Sequence, residues 1–235
     1  MRAFWVFVII SAACIGWFSS GTPIKPSVLV PDVSWPNCNA TLTNFESGIV
    51  GVTGGLALRP NKCLTSEAGL FKNVSVYVNT GYPGTKKASK FQNFPKKCAR
   101  FNDKCLAYNY GYNSGLYDIN YSLKSGVIAK NWWLDVETEN SWSDTTKVNR
   151  QALQGTLDAI SKFAGNTNVG FYSYPGQWNL ITGNWRNHYP AWVATGTQSF
   201  TAAKQACVPP SFTGGPIIYG QYTPALDANF ACAHY

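Results

Sequence analysis

Two carboxylates one residue apart close an apolar run in the segment WWLDVETENSW, residues 132–142. Side chains along a strand alternate between faces, so Asp135 and Glu137 project from one side. Two acids on one face at a strand's C-terminal end suit acid-catalysed cleavage of a glycosidic bond. One donates a proton and the other steadies charge. The competing reading is a surface strand end with two solvated acids, and it is weakened because the chain carries only 11 Asp and Glu in 235 residues. Same-face neighbours on a strand lie roughly 6.5–7 Å apart. Retaining enzymes with a protein nucleophile place their carboxyls about 5–5.5 Å apart, and inverting ones about 6.5–9.5 Å. Side-chain rotation blurs that difference, so the stereochemical course stays open, and attack by a substrate N-acetyl group also fits. Crowding by Asp135 and burial near Trp133 or Tyr172 are expected to raise the pKa of Glu137, as a proton donor requires.

Other chemistries find less support. A Ser-His-Asp arrangement needs a positioned histidine, but His188 sits in an aromatic loop between Trp185 and Tyr189, and His234 adjoins the chain end. No GxGxxG or GxxxxGK pattern occurs, so Gly54-Gly55 and Gly214-Gly215 read as turns rather than phosphate cradles. There is no CxxC spacing, which argues against a metal site. No cofactor is expected. The tryptophans read mostly as core, with Trp142 and Trp178, on expected loops, the better candidates for sugar platforms.

The acids must be held by a scaffold. Strand-like runs, short, apolar and rich in β-branched or aromatic residues, recur at 27–35, 47–55, 74–84, 131–138, 168–175, 189–196 and 216–223. Helical patterns fall between several of them. The clearest is 143–164, where Leu153, Leu157, Ile160 and Ala164 share a face, Ser141 or Ser143 caps the start and Gly165 stops it. Others fall at 101–126 and 201–206. Strand–helix alternation implies a parallel α/β sheet, and the short spacing of the late strands implies a last third without full helices. In such barrels functional loops lie at the C-terminal strand ends. Asp32, Asp135, Glu137, Tyr172 and Gln221 fall there, with Asp227 just beyond.

The N-terminus reads as a signal peptide over residues 1–21. Arg2 supplies the positive start, residues 4–18 the apolar stretch, and Ser19 and Gly21 a small-residue cleavage site. A lipid anchor at Cys14 is disfavoured because the apolar run continues past it. Residues 22–235 then form a single domain, expected to be extracellular and monomeric with no membrane span. Six cysteines remain: Cys38, Cys63, Cys98, Cys105, Cys207 and Cys232. An even number in a secreted chain points to three disulfides. Fifteen pairings are possible. Proximity in sequence favours Cys38–Cys63, Cys98–Cys105 and Cys207–Cys232. The formal net charge of +8 is scattered, which fits an anionic polymer such as a cell wall, or plain solubility, better than sequence-specific nucleic-acid binding. The 9 Trp, 13 Tyr and 13 Phe suit either a sugar-binding cleft or an aromatic core.

Three motifs in order, Asp32-Val33-Ser34, Leu134-Asp135-Val136-Glu137, and Gln221-Tyr222-Thr223 followed by Asp227-Ala228-Asn229-Phe230, make the chain resemble the lysozyme-type muramidases of glycoside hydrolase family 25. It is more similar still to a less characterised branch of glycoside-hydrolase-like barrels. The resemblance spans Asp32 to Phe230. It implies a TIM-like α/β barrel of five β/α units followed by three strands, acting on the β-1,4 bond of peptidoglycan. Glu137 would be the general acid. Asp135 would orient the substrate's N-acetyl group or stabilise charge. Asp32 and Asp227 would bind substrate, with Tyr172, Gln221 and Trp142 beside them. The chain departs from the family pattern at Trp35-Pro36-Asn37-Cys38 and at the end of the third strand, Tyr77 to Pro83. Those departures leave open a hydrolase of another N-acetylated polymer such as chitin, or a barrel that binds glycans without cutting them.

Overall fold

The computed structural model describes residues 29–43 and 45–232. The expected signal peptide, Cys14 and His234 lie outside them. Eight strands close into a barrel in sequence order: β1 (Leu29–Val33), β2 (Ser47–Gly51), β3 (Asn73–Asn79), β4 (Trp132–Asp135), β5 (Val169–Ser173), β6 (Ala191–Ala194), β7 (Ile217–Tyr222) and β8 (Ala228–Ala231). The first seven run parallel. The last runs antiparallel to both β7 and β1, which corrects the all-parallel expectation. Residues 223–227 form too short a link for a crossover, and only antiparallel neighbours can be joined so briefly. The run at 228–231 is the one strand absent from the sequence reading. Its alternation, Ala-Asn-Phe-Ala, is too short to stand out.

The helices are α1 (Leu64–Ala68), α2 (Thr85–Ala88), α3 (Asp103–Lys124), α4 (Thr146–Ala164), α5 (Pro175–Thr182) and α6 (Phe200–Gln205). Only α3 and α4 are long, and α5 and α6 are short, as the late strand spacing implies. Helix α4 starts three residues later than expected, and neither Ser141 nor Ser143 caps it. The N-cap is Thr145. Asn149 takes the preceding loop instead, accepting from Ser143 N and donating to Ser143 O, both at 2.9 Å.

Two apolar layers follow from strand alternation. Outward-facing Val50, Val76, Val78, Leu134, Val136, Val169 and Phe171 pack with Leu153, Leu157 and Ile160 of α4. Inward-facing Val30, Ile49, Trp133 and Trp192, with Tyr77, Tyr172, Ile218 and Tyr219, fill the barrel. The inner aromatics meet edge to face, Trp133 to Trp192 at 5.9 Å and Trp133 to Tyr219 at 5.7 Å between ring centres. Helices α3 and α4 cross at two glycines. A Cβ on Gly111 would stand 1.9 Å from Ala152 O, and one on Gly155 would stand 2.0 Å from Tyr108 O.

All three disulfides pair as expected. Cys38–Cys63 ties the turn after β1 to the start of α1, and Cys207–Cys232 ties the end of α6 to the end of β8. Among the described residues no helix is long and apolar enough to cross a membrane.

Candidate functional site

The C-terminal ends of β1 to β7 open on one mouth, and the turn entering β8 joins them because that strand runs the other way. Strand register sets the floor. Asn79 on β3 pairs with Asp135 on β4, Asp135 with Tyr172 on β5, and Tyr172 with Trp192 on β6. These four form a continuous row.

Asp135 is buried. Its Oδ2 accepts a short hydrogen bond from Asn79 Nδ2. Asn79 is fixed in turn by Thr53, whose hydroxyl donates to Asn79 Oδ1 at 2.7 Å and accepts from Asn79 N at 2.8 Å. Thr80 donates to the Asp135 carbonyl from its hydroxyl at 2.5 Å and from its amide at 3.1 Å. The strand ends at Asp135, but alternation persists for two more residues. Val136 N donates to Tyr172 O at 2.9 Å, its side chain is buried outward, and half-buried Glu137 returns to the mouth. The expected shared face therefore holds, and Asp135 and Glu137 lie close enough for each to shift the other's titration. Asp135 Oδ1 is buried without a hydrogen-bond partner among the described residues.

Burial holds the Asp135 carboxyl well above the usual range, and the charge of Glu137 adds to it. Glu137 is raised too, first by burial and then by the charge of Glu139, while its polar neighbours Asp135 and Tyr172 pull it back. The pair titrates as a unit that holds one proton well above the ordinary carboxylate range.

A second buried acid lies across the mouth. Asp32 Oδ2 accepts from Asn229 Nδ2 at 2.7 Å and from Gln221 Nε2 at 3.2 Å. Burial, then the charge of Asp227, pushes its pKa up to about 7 against those two hydrogen bonds. Gln221 also ties Asp32 to β5, since its Oε1 accepts from the Tyr172 hydroxyl at 2.7 Å. Asn229 accepts from Trp192 Nε1 at 2.6 Å. Asp227 is half-buried in the turn before β8 and accepts from Asp32 N through its backbone carbonyl at 3.1 Å.

Glu137, Asp135, Asp32, Asp227, Tyr172 and Gln221 thus converge. Trp142 joins them in another capacity than a sugar platform. It is half-buried against the core, and its Nε1 donates to Glu137 O at 2.7 Å, holding the loop that carries the acid. Trp178 is corrected outright: it lies within α5, fully buried and stacked on Trp185. The exposed rings that follow mouth-facing strand ends are Trp35 after β1, 51% exposed, and Tyr174 after β5, 46% exposed. His188 precedes β6, so it lies at the opposite end of the barrel, exposed, with Nδ1 at 3.2 Å from Gly214 O. The neutral holders Asn79, Thr53, Thr80 and Asn229 give only a weak signal in the sequence, amides and hydroxyls at strand ends, although Asn79, Thr80 and Asn229 lie within the segments compared with the family pattern.

The model of a family described as lysozyme-like protein 1 matches residues 107–206, less than half of the chain. The match includes Asp135, Glu137 and Tyr172 but stops short of Asp32, Gln221 and Asp227. No curated protein sequence matches. Among solved structures, a muramidase from Trichobolus zukalii aligns at 12% identity with a TM-score of 0.51, over 88% of this chain and 95% of that one. A bacterial lysozyme from Streptomyces coelicolor aligns at 14% identity and TM-score 0.50, over 87% and 92%. The modular autolysin LytC from Streptococcus pneumoniae, solved with a synthetic peptidoglycan ligand, aligns at 14% and 0.52 over 86% of this chain. This chain spans 45% of that protein's length. At such identities the likeness is one of fold, and it agrees with the TIM-like barrel and the muramidase resemblance that the motifs carry.

Proposed function

We propose that this protein is a secreted glycoside hydrolase that cleaves β-1,4 bonds of peptidoglycan, with Glu137 as general acid. The observation that carries this is the placement of two acids together at the barrel mouth, Asp135 buried and held by Asn79 and Glu137 half-buried beside it. A general acid must still hold its proton near working pH, and burial beside a second carboxyl supplies that. Glu137 is the member of the pair open to the mouth, so it meets the glycosidic oxygen. Asp135 lies behind it, only 2% exposed and held by Asn79. It cannot reach an anomeric carbon as a nucleophile, and its role is to keep the shared proton and orient Glu137. Attack then falls to water or to the substrate's own N-acetyl oxygen, with Tyr172 and Asp227 lining its approach. Asp32, locked by Gln221 and Asn229, shapes the wall that receives the sugar. Three disulfides suit an oxidising, extracellular setting. The choice of peptidoglycan rests on the muramidase relatives and on the peptidoglycan ligand of the pneumococcal autolysin.

Purified protein should release reducing ends from bacterial cell walls, and Glu137→Gln should lower the rate at least about 100-fold with an unchanged circular dichroism spectrum. Equal rates in both would remove Glu137 from the chemistry. A panel including chitin separates the polymers, and binding without product on every member would make the barrel a glycan-binding module.

A further inference from the structure

We propose that the cavity beside the carboxyl pair, bounded by the loops after β2, β3 and β4, takes a carboxylate-bearing branch of the glycan, the chemistry of a peptide-substituted sugar. The cavity measures about 440 Å³, within the range of small-ligand pockets. Thr80, Tyr82, Tyr110, Asn140, Lys87 and Lys90 are among its lining residues.

Its wall continues the reaction site. Thr80 holds the Asp135 carbonyl, and Asn140 and Ser141 belong to the loop that leaves Glu137. Tyr82 N donates to Ser141 O at 2.7 Å, joining the loops after β3 and β4 across the cavity. A sugar seated at Glu137 would carry its neighbouring substituent toward this space.

The charges decide what that substituent is. The mouth gathers acids, Asp32, Asp135, Glu137 and Asp227, and gives an anionic branch nothing to pair with. No acid lines the cavity, and two lysines do. Lys87 and Lys90 are exposed, and neither forms an ion pair among the described residues, where the salt bridge is Lys72–Glu46. Lys90 Nζ stands 4.9 Å from the Phe91 ring centre, which steadies the cation without neutralising it. Asp103, behind Tyr82, accepts from the hydroxyls of Tyr82 and Thr85. Two ammonium groups without an ion-pair partner among the described residues, with Asn140 in the same wall, suit a carboxylate at the end of a short polar branch. A neutral N-acetylglucosamine chain offers them only uncharged acceptors, weaker partners for an ammonium than a carboxylate.

The inference rests on the glycan reading above, and its test is kept apart from turnover. Calorimetry with the Glu137→Gln protein uses three fragments: a muramyl-peptide disaccharide with free carboxylates, the same fragment with its carboxylates amidated, and an unbranched chitooligosaccharide. The free-acid fragment should bind about fivefold tighter than the amidated one. Lys87→Ala/Lys90→Ala should erase that difference, and Lys87→Arg/Lys90→Arg should keep it. Equal affinity for the free and amidated fragments, an unchanged difference in the Ala variant, or no binding of the free-acid fragment would overturn the proposal. Failure of the wild type to cut any wall would sink the hydrolase reading and leave this binding result standing on its own.

Discussion

Asp135 and Glu137 cannot both ionise cheaply, because each is buried and each faces the other. The pair should govern both limbs of a bell-shaped rate profile with an acidic optimum. Activity falls in acid as the last carboxylate is protonated and falls in alkali as the shared proton leaves. Asp135→Asn replaces a potential negative neighbour with an amide that can donate to Glu137. Ionisation of Glu137 then becomes easier, and the alkaline limb of the residual activity should move to lower pH. A limb that stays put or rises, measured on wall fragments across pH 3–9, would show that the two groups do not act as one unit. At this scale the acids were legible in the sequence because charge is scarce in the chain and alternation is rigid. Asn79 and Asn229 were not. A neutral amide becomes meaningful only when the fold brings an acid to it from 56 or 197 residues away.

The elements that carry the pair depend on how closely α3 and α4 approach, since these two long helices back β4 and its neighbours. The crossing admits no side chain at Gly111 or Gly155. Either Gly→Ala substitution drives a methyl into a backbone carbonyl and must part the helices. A loss of about 3 kcal/mol is expected, read as a drop in Tm on the order of 10 °C. A Tm within about 2 °C of wild type would mean that the helices are not so tightly held. Strand positions and the α4 pattern were readable because β-branched runs and a 3.6-residue repeat are local signals. Two features were not local. The start of α4 was displaced by Asn149 capturing Ser143, and the direction of β8 was set by the length of a turn. Trp178 is expected on a loop, yet Pro175 opens a helix there, as proline does at a first helical position, and carries Trp178 into α5.

Across the whole molecule, buried acids set an unusual dependence of stability on pH. Asp32 moves from an ordinary 3.8 to about 7 on folding. Burial alone raises Asp118 on α3, whose two carboxyl oxygens have no hydrogen-bond partner among the described residues. Between pH 4 and 7 the folded state therefore holds protons that the unfolded chain has released, so stability falls as pH rises through that window. The Asp32 shift alone corresponds to about 4 kcal/mol, of which about 3 kcal/mol separates pH 5 from pH 8. Thermal melts should give a Tm at pH 5 roughly 8 °C above that at pH 8, and Asp118→Asn should narrow the gap by stabilising the alkaline side. A Tm that climbs from pH 5 to pH 8 would contradict the assignment of these acids as buried and protonated.

The reversed last strand has a consequence for how the protein is made. Asn229, which holds Asp32, and Asp227, which raises its pKa, reach the mouth only when β8 slots between β7 and β1. A chain emerging from the ribosome carries Asp32, Asp135 and Glu137 long before that, but on an open sheet whose β1 and β7 edges still have unmet backbone groups. Strand β8 is thus both the clasp of the barrel and the part of this site that is made after its acids. A nascent or C-terminally clipped chain has its acids without their arrangement, and its bare edges mark it for aggregation or disposal before it can act on a polymer.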